Sequence, residues 1–168
     1  SYILYFRTKL FGSRIIKMIV NDNLLFSISN TELISYKYLT EEKNVISNNL
    51  HVGNIIDLIC FSKTNLLITS GEDGNIKSWK KDKIEFDQTI FLKNQSKFNI
   101  FEIDNINLGA FDMKNSILYV FRFNSERLFL LEKSFRFEHF ALYKIIILQE
   151  YKFSMISQDG VISQISFT

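Results

Sequence analysis

The run LLITSGEDGNIKSW, Leu66–Trp79, gathers two glycines, two acids and the only tryptophan of the chain into 14 residues. Asp73-Gly74 reads as a tight turn, because glycine accepts positive φ without penalty and Asp bonds its own backbone in such turns. The residues on either side are apolar, β-branched and partly alternating, so the run is a strand, a turn and a second strand. Alternation of the same kind recurs at Ile55–Phe61, Asn75–Trp79, Ser116–Phe121 and Val161–Phe167. No window of about 12 residues combines a 3.6-residue period with helix caps, and the expected class is all-β.

The strands repeat. IIDLICFSKTNLLITSGEDGNIKSW (Ile55–Trp79) is echoed by IIKMIVNDNLLFSISNTELISY (Ile15–Tyr36), YKIIILQEYKFSMISQDGVISQI (Tyr143–Ile165) and, more faintly, FNIFEIDNINLGAFDMKNSILYV (Phe98–Val120). The closing residues Tyr36, Trp79, Val120 and Ile165 stand about 41 to 45 residues apart, the period of a propeller blade. A fifth anchor, Phe6, comes from the likeness of SYILYF to NSILYV, at a shorter spacing of about 30 residues. Radial repetition explains such a period, since a four-stranded sheet buries both faces only when sheets stack around an axis. Fourth, outer strands are expected at Arg7–Phe11, Asn44–Leu50, Ile84–Leu92 and Arg127–Phe137. The competing arrangement is a β-sandwich whose strand spacing imitates a repeat.

The bulk numbers fit one domain or a piece of a larger one: 168 residues, 46% hydrophobic and 15% aromatic. Twenty basic against 18 acidic residues leave a formal charge of +2, which offers no global footprint for nucleic acid or anionic lipid. Cys60 is alone in an apolar run, which argues against a disulfide and for a reducing, intracellular setting, cytoplasmic or nuclear. The longest apolar run, Ala141–Leu148, is too short to cross a bilayer and is broken by Lys144. The chain starts at Ser1 without a signal peptide and reads as an excised segment. Plentiful Phe, Ile, Lys, Asn and Tyr match AT-rich codon usage, and Asn and Ser then stand in turns where Gly or Pro is commoner.

LHVGNIIDLICFSKTNLLITSGEDGNIKSWK, Leu50–Lys80, resembles one repeat of the WD repeat β-propellers. His51 stands at the family's Gly-His histidine, Thr69 at its small hydroxyl residue, Asp73-Gly74 at its turn and Trp79 at the end of its third strand. The resemblance implies a structural tetrad in which Asp73 accepts from His51, the other imidazole nitrogen meets Thr69, and the Thr69 hydroxyl meets the Trp79 indole. It also implies four-stranded antiparallel blades belonging to a larger, seven-bladed ring. Repeat boundaries would be 12–50, 51–93 and 94–138, with two strands at 1–11 and three at 139–168. A compact alternative pairs Arg7–Phe11 with the last repeat and closes four blades. The chain departs from the pattern where Lys80 follows Trp79, where Leu50 replaces the Gly, and where Tyr36, Val120 and Ile165 replace Trp. Asn30 and Lys114 take the Asp place in two other repeats, and Asp159-Gly160 keeps it in the last.

No phosphate loop, Cys/His metal spacing or Gly-x-Ser-x-Gly elbow occurs, so no enzyme, cofactor, metal or small-molecule substrate is expected. A catalytic reading of His51 and Asp73 lacks a nucleophile and an oxyanion hole. The leading function is a scaffold that presents loops to other proteins in a multi-subunit complex, with contacts drawn from Arg14, Asn54, Glu72, Lys97, Lys114, Glu138 and Gln158. Each of these is equally readable as an ordinary solvated side chain, and His139 in FEHF as a connecting-loop residue. The alternatives are a ribonucleoprotein or ribosome-biogenesis propeller with RNA contacts, motivated by the lysines of KSWKKDK (Lys77–Lys83), and a trafficking or coat propeller.

Overall fold

The computed structural model describes residues 14–46, 50–61, 64–92, 96–138, 141–149 and 152–166. The expected strands at Tyr2–Phe6 and Arg7–Phe11, and His139, lie outside them. Sheet 1 comprises β1 (Lys17–Asn21), β2 (Leu24–Ile28), β3 (Leu33–Lys37) and β4 (Glu42–Ile46). Sheet 2 comprises β5 (Ile55–Phe61), β6 (Leu66–Gly71), β7 (Asn75–Lys80) and β8 (Glu85–Leu92). Sheet 3 comprises β9 (Phe98–Glu102), β10 (Asn107–Asp112), β11 (Ile117–Phe123) and β12 (Phe129–Arg136). Sheet 4 comprises β13 (Leu142–Gln149), β14 (Lys152–Ser157) and β15 (Ile162–Ser166). Within each sheet consecutive strands pair antiparallel in sequence order, a meander whose short turns set the register.

The sheets stack face to face, and that stacking explains why a central strand such as β6 is buried along its whole length. Leu67 of β6 enters a core with Phe26, Ile28, Leu58 and Trp79, toward sheet 1. Its neighbours Leu66 and Ile68 enter the opposite core with Phe61, Phe98, Leu108 and Phe121, toward sheet 3. A third core, with Phe101, Phe111, Leu118, Phe153 and Met155, joins sheets 3 and 4. Alternation thus places successive side chains in different interfaces. The sandwich arrangement is excluded, because the first strands of all four sheets line one cavity of about 370 Å³: Val20, Leu58, Ile100 and Ile147 come from β1, β5, β9 and β13.

Asp57 links three of these inner strands. Its carboxylate, only 8% exposed as a residue, accepts from Lys17 Nζ of β1 at 2.6 Å, from the adjacent Leu58 N–H at 2.9 Å and from the Ile100 N–H of β9 at 2.9 Å. A buried carboxylate needs such donors to offset its desolvation.

Outer strand boundaries differ from expectation: β4 begins at Glu42 rather than Asn44, β8 at Glu85 rather than Ile84, and β12 spans Phe129–Arg136 rather than Arg127–Phe137. β4 runs over Glu42–Ile46 rather than on to Leu50. Leu50 sits in a bend, and its apolar side chain, 1% exposed, packs into the core between sheets 1 and 2. Its hydrophobicity belongs to that interface rather than to a strand.

Candidate functional site on the loop face

The turns after β2, β6, β10 and β14 lie at the same end of the sheets as the loops that lead into each first strand. On sheet 2 this end carries His51, Thr69, Asp73 and Trp79 in one chain of hydrogen bonds. His51 Nδ1 lies 2.9 Å from Asp73 Oδ1 and Nε2 lies 2.9 Å from Thr69 Oγ1. The Trp79 indole N–H donates to the same Thr69 oxygen at 2.9 Å. With the proton on His51 Nδ1, every donor has an acceptor: indole to hydroxyl, hydroxyl to Nε2, and Nδ1 to carboxylate. Burial lowers the His51 pKa, outweighing the opposing pull of the Asp73 carboxylate. The neutral ring is the form this chain of bonds requires.

Asp73 is held from several sides. Burial raises its pKa, but the N–H of Val52 at 3.0 Å, the amide and N–H of Asn75 at 2.8 and 3.0 Å, and His51 more than offset that and keep it below the ordinary value. Gly74 turns the chain at φ 76°, a region open to glycine. Gly71 has a different reason: a Cβ there would meet the His51 ring at 2.3 Å. Both glycines of the opening run are therefore explained by this network, one through backbone conformation and one through ring clearance.

Three of the loop residues singled out as partner contacts meet beside it. Glu72 accepts from Lys97 Nζ at 2.7 Å and from the Asn54 N–H at 3.2 Å, while its own N–H donates to the Asn54 carbonyl at 2.9 Å. The hydrogen bond from Lys97, followed by that from Asn54, draws the Glu72 pKa down. The remaining four do not join this group. Arg14, Lys114, Glu138 and Gln158 are exposed; the Gln158 N–H donates to the Ala141 carbonyl at 2.8 Å and the Lys114 N–H to Asp112 at 3.0 Å.

Asp112 escapes the sequence reading, which looked for sheet 3's turn acid at Lys114. Its carboxylate accepts from Ser96 Oγ at 3.0 Å, from Asn115 Nδ2 at 2.8 Å and from two turn N–H groups. Ser96–Asp112 thus ties loop to turn as His51–Asp73 does in sheet 2, with the acid at the strand end rather than inside the turn. In sheet 1, where Asn30 follows Ser29, the buried Ser29 Oγ has no partner among the described residues. In sheet 4 Ser157 bonds the Asp159 carboxylate within the turn, and this bond lowers the Asp159 pKa.

The lysines of Lys77–Lys83 diverge. Lys77 Nζ reaches the Leu50 carbonyl at 2.7 Å, and Lys81 Nζ reaches Asn21 Oδ1 at 2.5 Å. Lys80 and Lys83 remain exposed. Strand alternation breaks up what looked like one patch. Among the described residues no group of three or more His, Cys, Asp or Glu could hold a metal ion, and no helix is long and apolar enough to cross a membrane.

No family model and no curated protein matches the sequence. The fold is matched by solved structures. U3-55K superposes with a TM-score of 0.76 at 15% identity, covering 94% of this chain and 52% of that one. The WD40 repeats of RRP9 give the same TM-score, identity and coverages. The computationally designed protein Ika4 gives a TM-score of 0.74 at 13% identity, covering 97% of this chain and 100% of that one. The described sheets have the fold of β-propeller blades and are similar to those of WD40 structures, and the chain spans about half the length of U3-55K and RRP9.

Proposed function

We propose that this chain contributes blades to a non-catalytic WD-type propeller that holds protein partners in a multi-subunit assembly. The observation that carries this reading is the use of the loop face. His51, Asp73 and Thr69, the side chains that would suggest chemistry, are spent on one another and on Trp79, and so they fix loops rather than await a substrate. Rigid loops on a stacked scaffold suit recognition. Arg14, Asn54, Glu72, Lys97, Lys114, Glu138 and Gln158 remain the proposed partner contacts, with repeat boundaries at 12–50, 51–93, 94–138 and 139–168.

The ring is proposed to be seven-bladed, closed by further blades against the outward faces of sheets 1 and 4. Those faces carry exposed Met18 and Val20 on β1, and Ile146 on β13 and Ile162 on β15, the last 63% exposed.

Among assemblies, a ribonucleoprotein is favoured over a coat by the likeness to U3-55K and RRP9. The test is affinity capture of the intact protein with mass spectrometry, with and without nuclease. Partners that survive nuclease support the protein scaffold, partners lost with nuclease support the ribonucleoprotein, and a turnover that disappears with His51→Ala at unchanged melting would overturn both.

A further inference from the structure

The end of the sheets opposite the His51 network holds a cavity of about 320 Å³ at the junction of sheets 2 and 3. Its walls are Thr64 and Asn65 from the β5–β6 turn, Lys80 at the end of β7, Asp87 of β8, Phe123 at the end of β11 and Arg127 from the β11–β12 turn. We propose that it binds a short acidic peptide segment, taking one carboxylate between Lys80 and Arg127 and an adjacent apolar side chain against Phe123.

The walls are preorganised. Phe123 is wedged between Phe61 and Phe129, with ring centroids at 6.0 and 4.8 Å. Gln88 Nε2 donates to the Arg127 carbonyl at 2.7 Å and to Asp87 at 3.2 Å, and so clamps the β11–β12 turn of sheet 3 onto β8 of sheet 2. Ser78 Oγ donates to Asp87 at 2.8 Å. The Asn65 amide is engaged by Asp82 and the Asn65 carbonyl by the Lys81 N–H.

Two groups are left over. Among the described residues neither the Lys80 ammonium nor the Arg127 guanidinium has a carboxylate within ion-pair distance. Both are exposed yet border a partly apolar cavity. The carboxylate that shares the cavity, Asp87, accepts from Ser78 and Gln88 through Oδ2. Among the lining side chains two cations stand against one carboxylate, so a ligand carboxylate meets more positive than negative groups on the cavity wall itself. A nucleic-acid backbone fits less well, because it needs cations for several successive phosphates and would face Asp87. A cavity of this size, with an apolar wall and a few fixed polar groups, is of the kind that binds small segments. The inference goes beyond the scaffold reading: it concerns the other face and stands whatever the number of blades.

The probe is a fluorescein-labelled Gly-Gly-Leu-Glu-Phe-Gly peptide, followed by anisotropy against the intact protein, with its Glu-to-Gln version and a ten-nucleotide oligouridylate as comparisons. Saturable binding of the Glu peptide is expected, weakened about three- to tenfold by Lys80→Gln or Arg127→Gln and by the Gln peptide. Lys83→Gln should change nothing. Lys80→Arg and Arg127→Lys, which keep the charges, should retain binding, and thermal melting checks that each variant is folded. No saturation up to about 1 mM peptide, equal binding by the two Gln variants, or oligouridylate binding lost on those variants in place of peptide binding would each overturn the proposal.

Discussion

Thr69→Val tests the network at the residue that His51 and Trp79 share. Thr69 is fully buried, and its hydroxyl is bonded to both the Trp79 indole N–H and His51 Nε2, each at 2.9 Å. Valine keeps the shape and removes the oxygen. An orphaned buried donor or acceptor costs about 1–3 kcal/mol, so two of them would cost about 2–6 kcal/mol. Relief from desolvating the hydroxyl returns about 1–2 kcal/mol. The expected loss is therefore about 1–4 kcal/mol. Thr69→Ser keeps the hydroxyl and loses one methyl, worth about 1 kcal/mol. Urea unfolding followed by tryptophan fluorescence measures both, and Trp79, the only tryptophan, reports from inside the network. If Thr69→Val proves no less stable than Thr69→Ser, the hydrogen bonds do not hold this blade together.

Three further outcomes follow from the same geometry. Because burial depresses the His51 pKa below its ordinary 6.5, the unfolded chain takes up the proton first. The contribution is full above about pH 6.5 and falls by at most about 1.4 kcal/mol per pH unit until the folded-state pKa is passed; His51→Gln should flatten that segment in urea unfolding between about pH 5 and 8. Asp57→Ala removes the acceptor of the Ile100 N–H and one partner of Lys17; a loss of about 2–4 kcal/mol is expected, with faster amide hydrogen exchange at Ile100. Glu41 is exposed with φ 59°, so Glu41→Gly should leave stability unchanged or raise it by up to about 1 kcal/mol. Ile84→Gly, at φ 50° but 2% exposed in a core, should instead lower the thermal midpoint.

Sequence carried the architecture because the signals that specify it are local. Alternation, the Asp73-Gly74 turn and the spacing of Tyr36, Trp79, Val120 and Ile165 depend on residues close together in the chain. The site was only half visible. His51, Thr69, Asp73 and Trp79 could be named through resemblance, but Gly71 could not be explained, since what requires it is a ring 20 residues upstream that passes over its Cα. Asp112 was hidden for another reason: sheet 3 makes its turn with a different residue count, which moves the carboxylate two positions from Lys114 while Ser96 replaces the imidazole. Asp57 was visible as a lone acid in IIDLICF, but its partners lie 40 and 43 residues away on other blades. The lysines of Lys77–Lys83 failed in the opposite direction, as proximity in sequence became divergence in space.

Glu41, Ile84 and Arg127 bring these strands of argument together. All three are non-glycine residues with left-handed backbone, at φ 59°, 50° and 62°, in the turn before the fourth strand of sheets 1, 2 and 3. Their spacing is 43 residues in both steps, more regular than the strand-end anchors. A left-handed position is costly for a residue with a Cβ and for a β-branched one especially, and it persists in Ile84 because the side chain is buried in the core beside Trp79. The same backbone therefore supports an exposed acid, a core aliphatic and a cation at the edge of a cavity. The repeat fixes where the turn projects its side chain, and each blade's own residue decides whether that projection serves packing, solvation or recognition.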